Sequence, residues 1–218
     1  LIKNMEFGAE MRFLNNRVGL DFTWYKSNAT RQLIDIPLDP QSGYSSMKIN
    51  AGNIQNQGIE LMVDGRILTN PNSLNWNVMV NYSRNENKII DIAKSEGVNT
   101  YPLGEGDNLF IRAVSGQLYG DIYGTKFRRV DDPNSPQHGQ LLLNGDGLPQ
   151  ATQEIVRLGN QQAKGLLGIT NSFSYRNINF SFLIDGRFGG HMFSASNANL
   201  QRFGTAKVTA PGGVREDF

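Results

Sequence analysis

Six segments of this chain alternate apolar and polar residues. The pattern is clearest where Ile59, Leu61 and Val63 are separated by Glu60 and Met62. Because successive side chains of a β-strand point to opposite faces, each segment predicts a strand with one apolar and one polar face. The segments begin near Met5, Val18, Ile59, Trp76, Leu167 and Ile178. Each is roughly 9 to 11 residues long, the length that a tilted strand needs to cross a bilayer.

The connections between these segments alternate between short and long. The short ones contain Asn-rich turns, which predict hairpins; they lie at Asn15-Asn16, between Thr69 and Asn75, and at Arg176-Asn177. The long connections run from about residue 28 to 57 and from about 91 to 164, and a tail follows Gly189. Outer-membrane barrels alternate short turns and long loops in this way, whereas a compact soluble domain rarely needs a connection of about 70 residues.

The alternation also predicts which residues share a face. In a membrane barrel the apolar face contacts lipid and the polar face lines the lumen. We expect these residues to face lipid: Phe7, Phe22, Trp24, Leu61, Val78, Ile169, Phe180 and Phe182. We expect these to face the lumen: Glu10, Asp21, Glu60, Asp64, Arg66, Asn81, Ser172, Asp185 and Arg187. A soluble β-sandwich would show the same alternation with its apolar face turned inward, and it stays the alternative.

Composition excludes several classes of function. The 21 basic and 20 acidic residues give a net charge of +1, which argues against a nucleic-acid binder. Cysteine is absent, so disulfides, thiolate metal sites and cysteine nucleophiles are excluded. No apolar run is long enough for a transmembrane helix, although barrel strands need only every second residue to be apolar.

The sequence contains no convincing catalytic or metal-binding motif. The two histidines, His138 and His191, are isolated, and no Ser-His-Asp group or P-loop can be placed. A calcium loop over residues 142–153 would start at Leu142 and end at Gln153, so both terminal carboxylates are missing. A turn built on Asn and Gly explains that segment better. We therefore predict no enzyme activity, no metal and no cofactor.

Several motifs in order along the chain resemble the SusC/RagA family of TonB-dependent outer-membrane transporters. They are Glu10–Tyr25, the loop pieces Ile36–Leu38 and Ser42–Tyr44, Asn50–Leu61, Asn85–Ile89, Leu118–Gly124, Leu158–Asn160 and Phe182–Gly190. Each motif is weak alone, but together they cover nearly the whole chain. Two places depart from the family pattern: residues 161–165 lack a proline, and Leu142 stands where an acidic string would begin with Asp.

The resemblance implies a fold and a function. The fold would be all-β: an antiparallel transmembrane barrel segment of about six strands from a roughly 22-stranded barrel, with long extracellular loops. Residues 1–218 would be part of one barrel domain, in its C-terminal part and without the plug domain, and the parent would continue beyond both termini. The function would be nutrient import across the outer membrane of a Gram-negative bacterium. Partners would be a SusD-like surface lipoprotein, TonB (through the missing N-terminal part), outer-membrane lipid, and an oligosaccharide or peptide ligand.

Aromatic residues in the long connections are the candidate contacts for ligand or partner. They are Tyr44, Tyr101, Phe110, Tyr119, Tyr123 and Phe193. Binding residues concentrate on loops held by a rigid scaffold, and exposed aromatic rings stack on sugars or anchor interfaces. The alternative for each ring is that it packs the loops together. The alternative for the whole chain is a soluble β-sandwich that binds glycans or acts as an adhesin.

Overall fold

The chain folds into two antiparallel sheets. The computed structural model describes residues 1–37, 40–70, 73–106, 109–147 and 149–207. The first sheet has the order β1-β2-β3-β4-β9-β10 and the second the order β5-β6-β7-β8. The strands are β1 Ile2–Phe13, β2 Val18–Pro37, β3 Ser46–Leu68, β4 Leu74–Asp91, β5 Thr100–Gly106, β6 Leu109–Val114, β7 Asp121–Gly124, β8 Val156–Asn160, β9 Gly165–Tyr175 and β10 Ile178–Phe188. One helix, α1, covers Ala195–Arg202, and short 3-10 turns cover Pro40–Ser42 and Lys94–Glu96.

The six predicted strands are confirmed as the six strands of the first sheet, which we call the wall sheet. The predicted turn at Asn15-Asn16 lies in a tight connection where Leu14, Asn15 and Asn16 all have positive φ. The turn at Arg176-Asn177 is a two-residue hairpin between the paired residues Tyr175 and Ile178. Of the turn between Thr69 and Asn75, Pro71 and Asn72 lie outside the described residues.

The long connections are more ordered than predicted. Residues 28–57 are not a loop, because β2 and β3 continue as a paired hairpin up to Pro37 and Ser46. Residues 26–30 and 53–57 are mostly polar on both faces, and Arg31 and Gly52 then break the alternation, so no continuous apolar pattern predicts these strands. The second long connection contains the four-stranded sheet β5–β8. The tail after Gly189 contains α1, whose helical turns no apolar pattern indicated. The segment Gly212–Phe218 lies outside the described residues.

A kink divides the β2–β3 hairpin into a lower and an upper part. Arg31 and Gly52 both have positive φ, at 56° and 84°, and neither takes part in the ladder between Thr30–Asn53 and Gln32–Ala51. Below the kink, the inner face of β3 carries Ile54. Above it, side chains of the opposite parity turn to that same side, because one residue on each strand breaks the alternation.

The upper hairpin encloses the main buried cluster of the described residues. The cluster contains Ile36, Ile89, Ile92, Ala93 and Ala113, all less than 5% exposed. Around it pack Ile34, Ile49, Ala51, Ile54, Val98 and Tyr101. It therefore joins β2, β3 and β4 of the wall sheet to β5 and β6 of the second sheet. The second sheet is attached to one end of the wall by hydrophobic packing.

No helix among the described residues is long and apolar enough to cross a membrane.

Candidate functional site

The wall sheet has one apolar and one polar face, and no second layer of described residues covers the apolar face. Paired residues of neighbouring strands share a face, so the register assigns every side chain. One row joins Phe22, Leu61, Tyr82 and Leu167; the next joins Asp21, Met62, Asn81 and Gly168. The apolar face is open: Phe7 is 62% exposed and Phe180 60%. A soluble sandwich would bury these rings, so the alternative fold is wrong for this sheet.

The height of the apolar face can be estimated from the register. It begins with the row of Phe7, Trp24 and Ile59 and ends with the row of Tyr175 and Ile178. These rows are the first and last of six, each two residues apart, so the face covers roughly 33 Å along the strands at about 3.3 Å per residue. A tilt of about 40° reduces this to roughly 25 Å, the height of the apolar band of an outer-membrane barrel.

Aromatic rings gather on this face near the short turns. Trp76 stacks on Phe173 with ring centroids 5.6 Å apart, and Phe173 stacks on Phe180 and Phe182 at 6.4 and 6.2 Å. Beneath them lies Asn171, a polar residue on the apolar face that is only 9% exposed. Its Oδ1 accepts a hydrogen bond of 3.2 Å from the Trp76 indole N–H. The bond satisfies both polar groups in an apolar setting, where unpaired groups cost several kcal/mol.

The polar face carries the residues predicted to line a lumen. Asp64, Arg66, Asp185 and Arg187 all lie on it by register. Asp64 pairs with Arg12 through an Oδ1–Nη1 distance of 2.7 Å, and Arg187 donates to the carbonyl of Gln161 at 3.1 Å. A hollow of about 670 Å³ on this face is lined by Asp21, Thr23, Glu60, Asn81, Thr170 and Asp185, among others. That the face lines a transport path stays a prediction.

The Asn/Gly motif builds part of this polar face. Gly58 lies between Tyr25 and Asn85 in one row of the sheet. A Cβ at Gly58 would lie 2.5 Å from the Tyr25 Oη and 2.5 Å from the Arg84 carbonyl oxygen. The missing side chain lets the Tyr25 ring lie flat across β3, and its hydroxyl donates to Asn85 Oδ1 at 3.0 Å. The glycine is therefore required by a close cross-strand contact.

The structure separates the six predicted aromatic residues into exposed and packed groups. Tyr44, at the end of the upper hairpin, is 72% exposed, and Phe193 and Tyr119 are 43% and 40% exposed. Tyr101 is packed against the buried cluster. Phe110 and Tyr123 are paired across β6 and β7. Tyr101, Phe110 and Tyr123 lie in strands, so their placement in loops was wrong: the alternation in these strands is too short to predict them.

The rings of Phe110 and Tyr123 both lie near the side chain of Arg112. The Arg112 guanidinium lies 4.7 Å from the centroid of the Phe110 ring and 6.0 Å from that of Tyr123. Such contacts with an aromatic face stabilise a cation by about 0.5–1 kcal/mol at partly exposed sites. The two rings therefore contribute to the rigidity of the second sheet, and their faces are partly occupied.

Sequence analysis missed the most deeply buried polar group of the described residues. Asp121, at the start of β7, is 0% exposed. Its Oδ1 lies 2.8 Å from Arg157 Nη2 and accepts a 2.7 Å hydrogen bond from Asn160 Nδ2. Its Oδ2 has no hydrogen-bond partner among the described residues. The available signal was the pair of motifs Leu118–Gly124 and Leu158–Asn160, which flank this contact.

Asn160 and Gln162 extend the contact to the wall sheet. Asn160 Nδ2 also donates to the Tyr119 carbonyl at 3.0 Å. Gln162 accepts from the Asn87 N–H and donates to the Asn87 carbonyl, both at 2.8 Å. The Gln162 amide thus replaces a strand partner for β4 just beyond the point where β9 begins. We call Asp121, Arg157, Asn160 and Gln162 the Asp121 network. It holds β7 and β8 against β4.

His191 secures the tail to the same place. Its backbone N–H donates to the Asn160 carbonyl at 2.7 Å. Its ring covers Gly159, where an added Cβ would lie 2.6 Å from the imidazole. The isolated histidine is therefore a packing residue. Among the described residues, no group of three or more His, Asp or Glu is arranged to hold a metal ion.

The Asp121 network also shifts ionisation equilibria in the second sheet. The hydrogen bond from Arg157 to the Asp121 carboxylate raises the pKa of Arg157, which stays protonated. Burial raises the pKa of Tyr123 above its usual value near 10, and the charge of Asp121 adds to this effect. The neutral phenol is therefore the form that the fold favours.

Alkaline pH is expected to destabilise the second sheet through Tyr123. Because its folded pKa is raised, its contribution to stability is complete below about pH 10 and is lost as pH rises through the folded pKa. Melting of the full-length protein at pH 8 and pH 10.5 measures the effect. Tyr123→Phe should lose less stability between the two values than the unmodified protein. Equal losses would show that Tyr123 does not ionise there.

Comparisons with known proteins show which proteins this chain resembles in sequence and fold. The chain is 25% identical to TonB-dependent receptor P3 of Formosa agariphila, over 95% of this chain and 22% of the receptor. It is 21% identical to TonB-dependent receptor SusC of Bacteroides thetaiotaomicron, over 90% of this chain and 20% of SusC. The RagAB peptide importer in the open-open state has the same fold, with a TM-score of 0.65 and 19% identity over 87% of this chain and 20% of that one. No family model matches.

In sequence and fold the chain is similar to a segment of the SusC/RagA-type TonB-dependent transporters. It is all-β, and its six-stranded antiparallel sheet corresponds to part of a barrel. It spans about a fifth of the length of the curated relatives that it matches. The motifs that resembled this family are the ones that build the Gly58 contact and the Asp121 network.

Proposed function

We propose that the parent of this SusC/RagA-type segment is an outer-membrane importer of oligosaccharides or peptides, energised by TonB and assisted by a SusD-like surface lipoprotein. The observation that carries the proposal is the uncovered apolar face of the wall sheet, whose height of roughly 25 Å matches a bilayer. The likeness to receptors named for TonB dependence supports the energy source. The likeness to RagAB, named as a peptide importer, supports a peptide as one of the candidate ligands.

In this proposal the described residues contribute wall and loop surface. The apolar face contacts lipid, and the polar face, with Asp64, Arg66, Asp185 and Arg187, lines the lumen. The edges β1 and β10 pair with further strands of the same barrel, since an unpaired edge in lipid leaves backbone groups unsatisfied. The end of the wall that carries the upper β2–β3 hairpin, the second sheet and α1 is extracellular, and the short turns are periplasmic.

The test is TonB-dependent uptake by the full-length protein. Cells that express the parent with its neighbouring SusD-like lipoprotein are supplied with labelled oligosaccharides or labelled peptides in separate assays. We expect accumulation of one ligand class that stops when TonB is deleted or the proton gradient is collapsed. Uptake that persists without TonB would contradict the proposed mechanism. Protease access from outside to the Arg176-Asn177 turn, and not to Tyr44, would contradict the orientation.

The exposed aromatic residues provide a sharper test of the binding surface. Tyr44→Ala and Phe193→Ala should weaken lipoprotein association or ligand uptake roughly 5- to 30-fold, as expected for an interface aromatic that contributes about 1–2 kcal/mol. Barrel assembly should not change, since both side chains are exposed. Binding to the purified lipoprotein and uptake are the measurements.

Tyr101→Ala is the matched control for this test. Tyr101 packs against the buried cluster, so its loss should lower stability and loosen the second sheet rather than remove a contact directly. If Tyr44→Ala and Phe193→Ala leave both binding and uptake at the unmodified level, these residues are not part of the binding surface.

A further inference from the structure

The outward face of the wall sheet changes character just beyond the row of Phe7, Trp24 and Ile59. The register places four basic residues and one acidic residue on this face in that row and the next two rows above it. They are Lys3, Lys26, Arg84, Glu86 and Lys88. Four cations and one carboxylate leave a net charge of 4 − 1 = +3 on a band that directly borders the apolar face. We call this the basic band.

The cations of the basic band are free to bind something else. None of these four side chains has a hydrogen bond or ion pair with another of the described residues. Two exposed basic residues elsewhere in the wall are engaged: Arg12 pairs with Asp64, and Arg17 donates to the carbonyls of Arg66 and Ile67. At the end with the short turns, the Arg176 guanidinium lies 5.3 Å from the centroid of the Tyr175 ring.

A hollow lies on the border between the apolar face and the basic band. Its volume is about 240 Å³, and it is lined by Trp24, Gln57, Gly58, Ile59, Arg84 and Glu86. The indole of Trp24 and the side chain of Ile59 belong to the last apolar row. Arg84 lies beside them in the same row, and Glu86 lies one row beyond. The hollow thus combines an apolar floor with a free guanidinium at its rim.

We propose that the basic band binds phosphate-bearing lipid headgroups of the membrane leaflet on the side of the long connections, with one headgroup seated in the hollow beneath Arg84. Acyl chains would lie on the rings of Phe7, Phe22 and Trp24, directly continuous with the band. Arg84 presents a planar fork that suits phosphate oxygens, and Lys26 and Lys88 add point charges on either side. The inference rests on the proposed orientation of the wall in the membrane.

The charge pattern favours lipid over a soluble partner. A headgroup must meet the protein at the border of the apolar face, and the residues of the basic band lie at that border on β1, β2 and β4. Near an anionic lipid surface, each basic residue strengthens binding to the lipid about fivefold. Glu86 opposes this, so its neutralisation should strengthen binding.

The test uses full-length protein in a neutral detergent and two lipid probes. Diphosphoryl lipid A and the same lipid without phosphates are titrated, and bound lipid is counted by native mass spectrometry. The triple variant Lys26→Gln, Arg84→Gln, Lys88→Gln should bind diphosphoryl lipid A on the order of 100-fold more weakly. Binding of the phosphate-free lipid should be unchanged. Glu86→Gln should bind the diphosphoryl lipid about fivefold more tightly.

A charge-matched variant controls for long-range electrostatics. Lys94→Gln, Lys126→Gln, Arg128→Gln removes the same charge from the second long connection, away from the apolar face. Its lipid affinity should match that of the unmodified protein. Equal affinities of the two triple variants, or no loss in the basic-band variant, would overturn the inference. If the basic-band triple does not fold, Arg84→Gln alone should still show a loss of about fivefold, and its absence would overturn the inference equally.

The outcome is separable from that of the proposed function. The basic-band variant should retain TonB-dependent uptake in cells, since none of its residues lies on the polar face. Loss of phosphate-selective binding with intact uptake supports both proposals. Absence of uptake in the unmodified protein, together with phosphate-selective lipid binding at the basic band, would remove the importer proposal alone.

Discussion

A transporter carrying Asp121→Ala is expected to lose the ordered attachment of its second sheet while the strands of its wall stay paired. The substitution removes the hydrogen bond from Asn160 and strands the Arg157 guanidinium, which is half-exposed and can turn to water. A lost hydrogen bond to a charged group costs about 1.5–3 kcal/mol, and breaking a buried ion pair costs up to about 5. We expect about 2–4 kcal/mol here, because only Asp121 is fully buried.

Hydrogen exchange in the full-length protein measures this effect. Amides of β6, β7 and β8 should exchange roughly 30- to 1000-fold faster, while those of β1 and β2 keep their protection. Asp35→Ala is the matched control: its ion pair with Lys48, at 2.9 Å, is exposed at both ends and should contribute less than about 1 kcal/mol. Unchanged exchange in Asp121→Ala would show that the Asp121 network does not hold the second sheet.

Gly58→Ala is expected to impair assembly of the wall itself. The new methyl group would lie 2.5 Å from the Arg84 carbonyl oxygen, which is backbone and cannot move aside alone, and 2.5 Å from Tyr25 Oη. Overpacking of this kind costs about 1–3 kcal/mol. The midpoint of urea unfolding of the full-length protein in detergent should fall accordingly, and the yield of folded protein in the outer membrane should drop.

Gly8→Ala is the matched control for Gly58. It lies on the same polar face of the wall, on β1, and an added Cβ there would find its nearest atoms at 3.7 Å, an ordinary van der Waals distance. The unfolding midpoint should stay within about 0.5 kcal/mol of the unmodified protein. If both substitutions have the same small effect, the Tyr25 ring does not need the space that Gly58 provides.

The wall sheet could be predicted from the sequence because the patterns that define its strands and turns lie within short segments of the chain. Each strand alternates with period two, and the turn at Asn15-Asn16 uses asparagines, which tolerate the positive φ that both adopt. These features fix strand, face and register without knowledge of distant residues. The predicted inward set, including Asp64 and Asp185, therefore lies on one face of the sheet.

The structures that prediction missed depend on residues far apart in sequence. Just below the kink, the β2–β3 hairpin is mostly polar on both faces near Lys26 and Gln57 and becomes regular only through pairing. Strands β6 to β8 are short, and β8 joins β7 across more than thirty residues. The burial of Asp121 follows from Arg157 and Asn160, which no local pattern connects to it. Exposure of the aromatic residues is likewise a tertiary property, so Tyr44 and Tyr101 looked alike in sequence.

The kink at Arg31 and Gly52 has a consequence for how proteins with this hairpin diversify. Below the kink the side-chain alternation matches the apolar face of the wall. Above it the alternation matches the small hydrophobic cluster around Ile36 and Ile89. Since the two parts follow independent alternation, a loop can be exchanged above the kink without changing which side chains the wall presents to the membrane. A new recognition hairpin could thus be grafted at Arg31 and Gly52 while the wall below the kink stays unchanged.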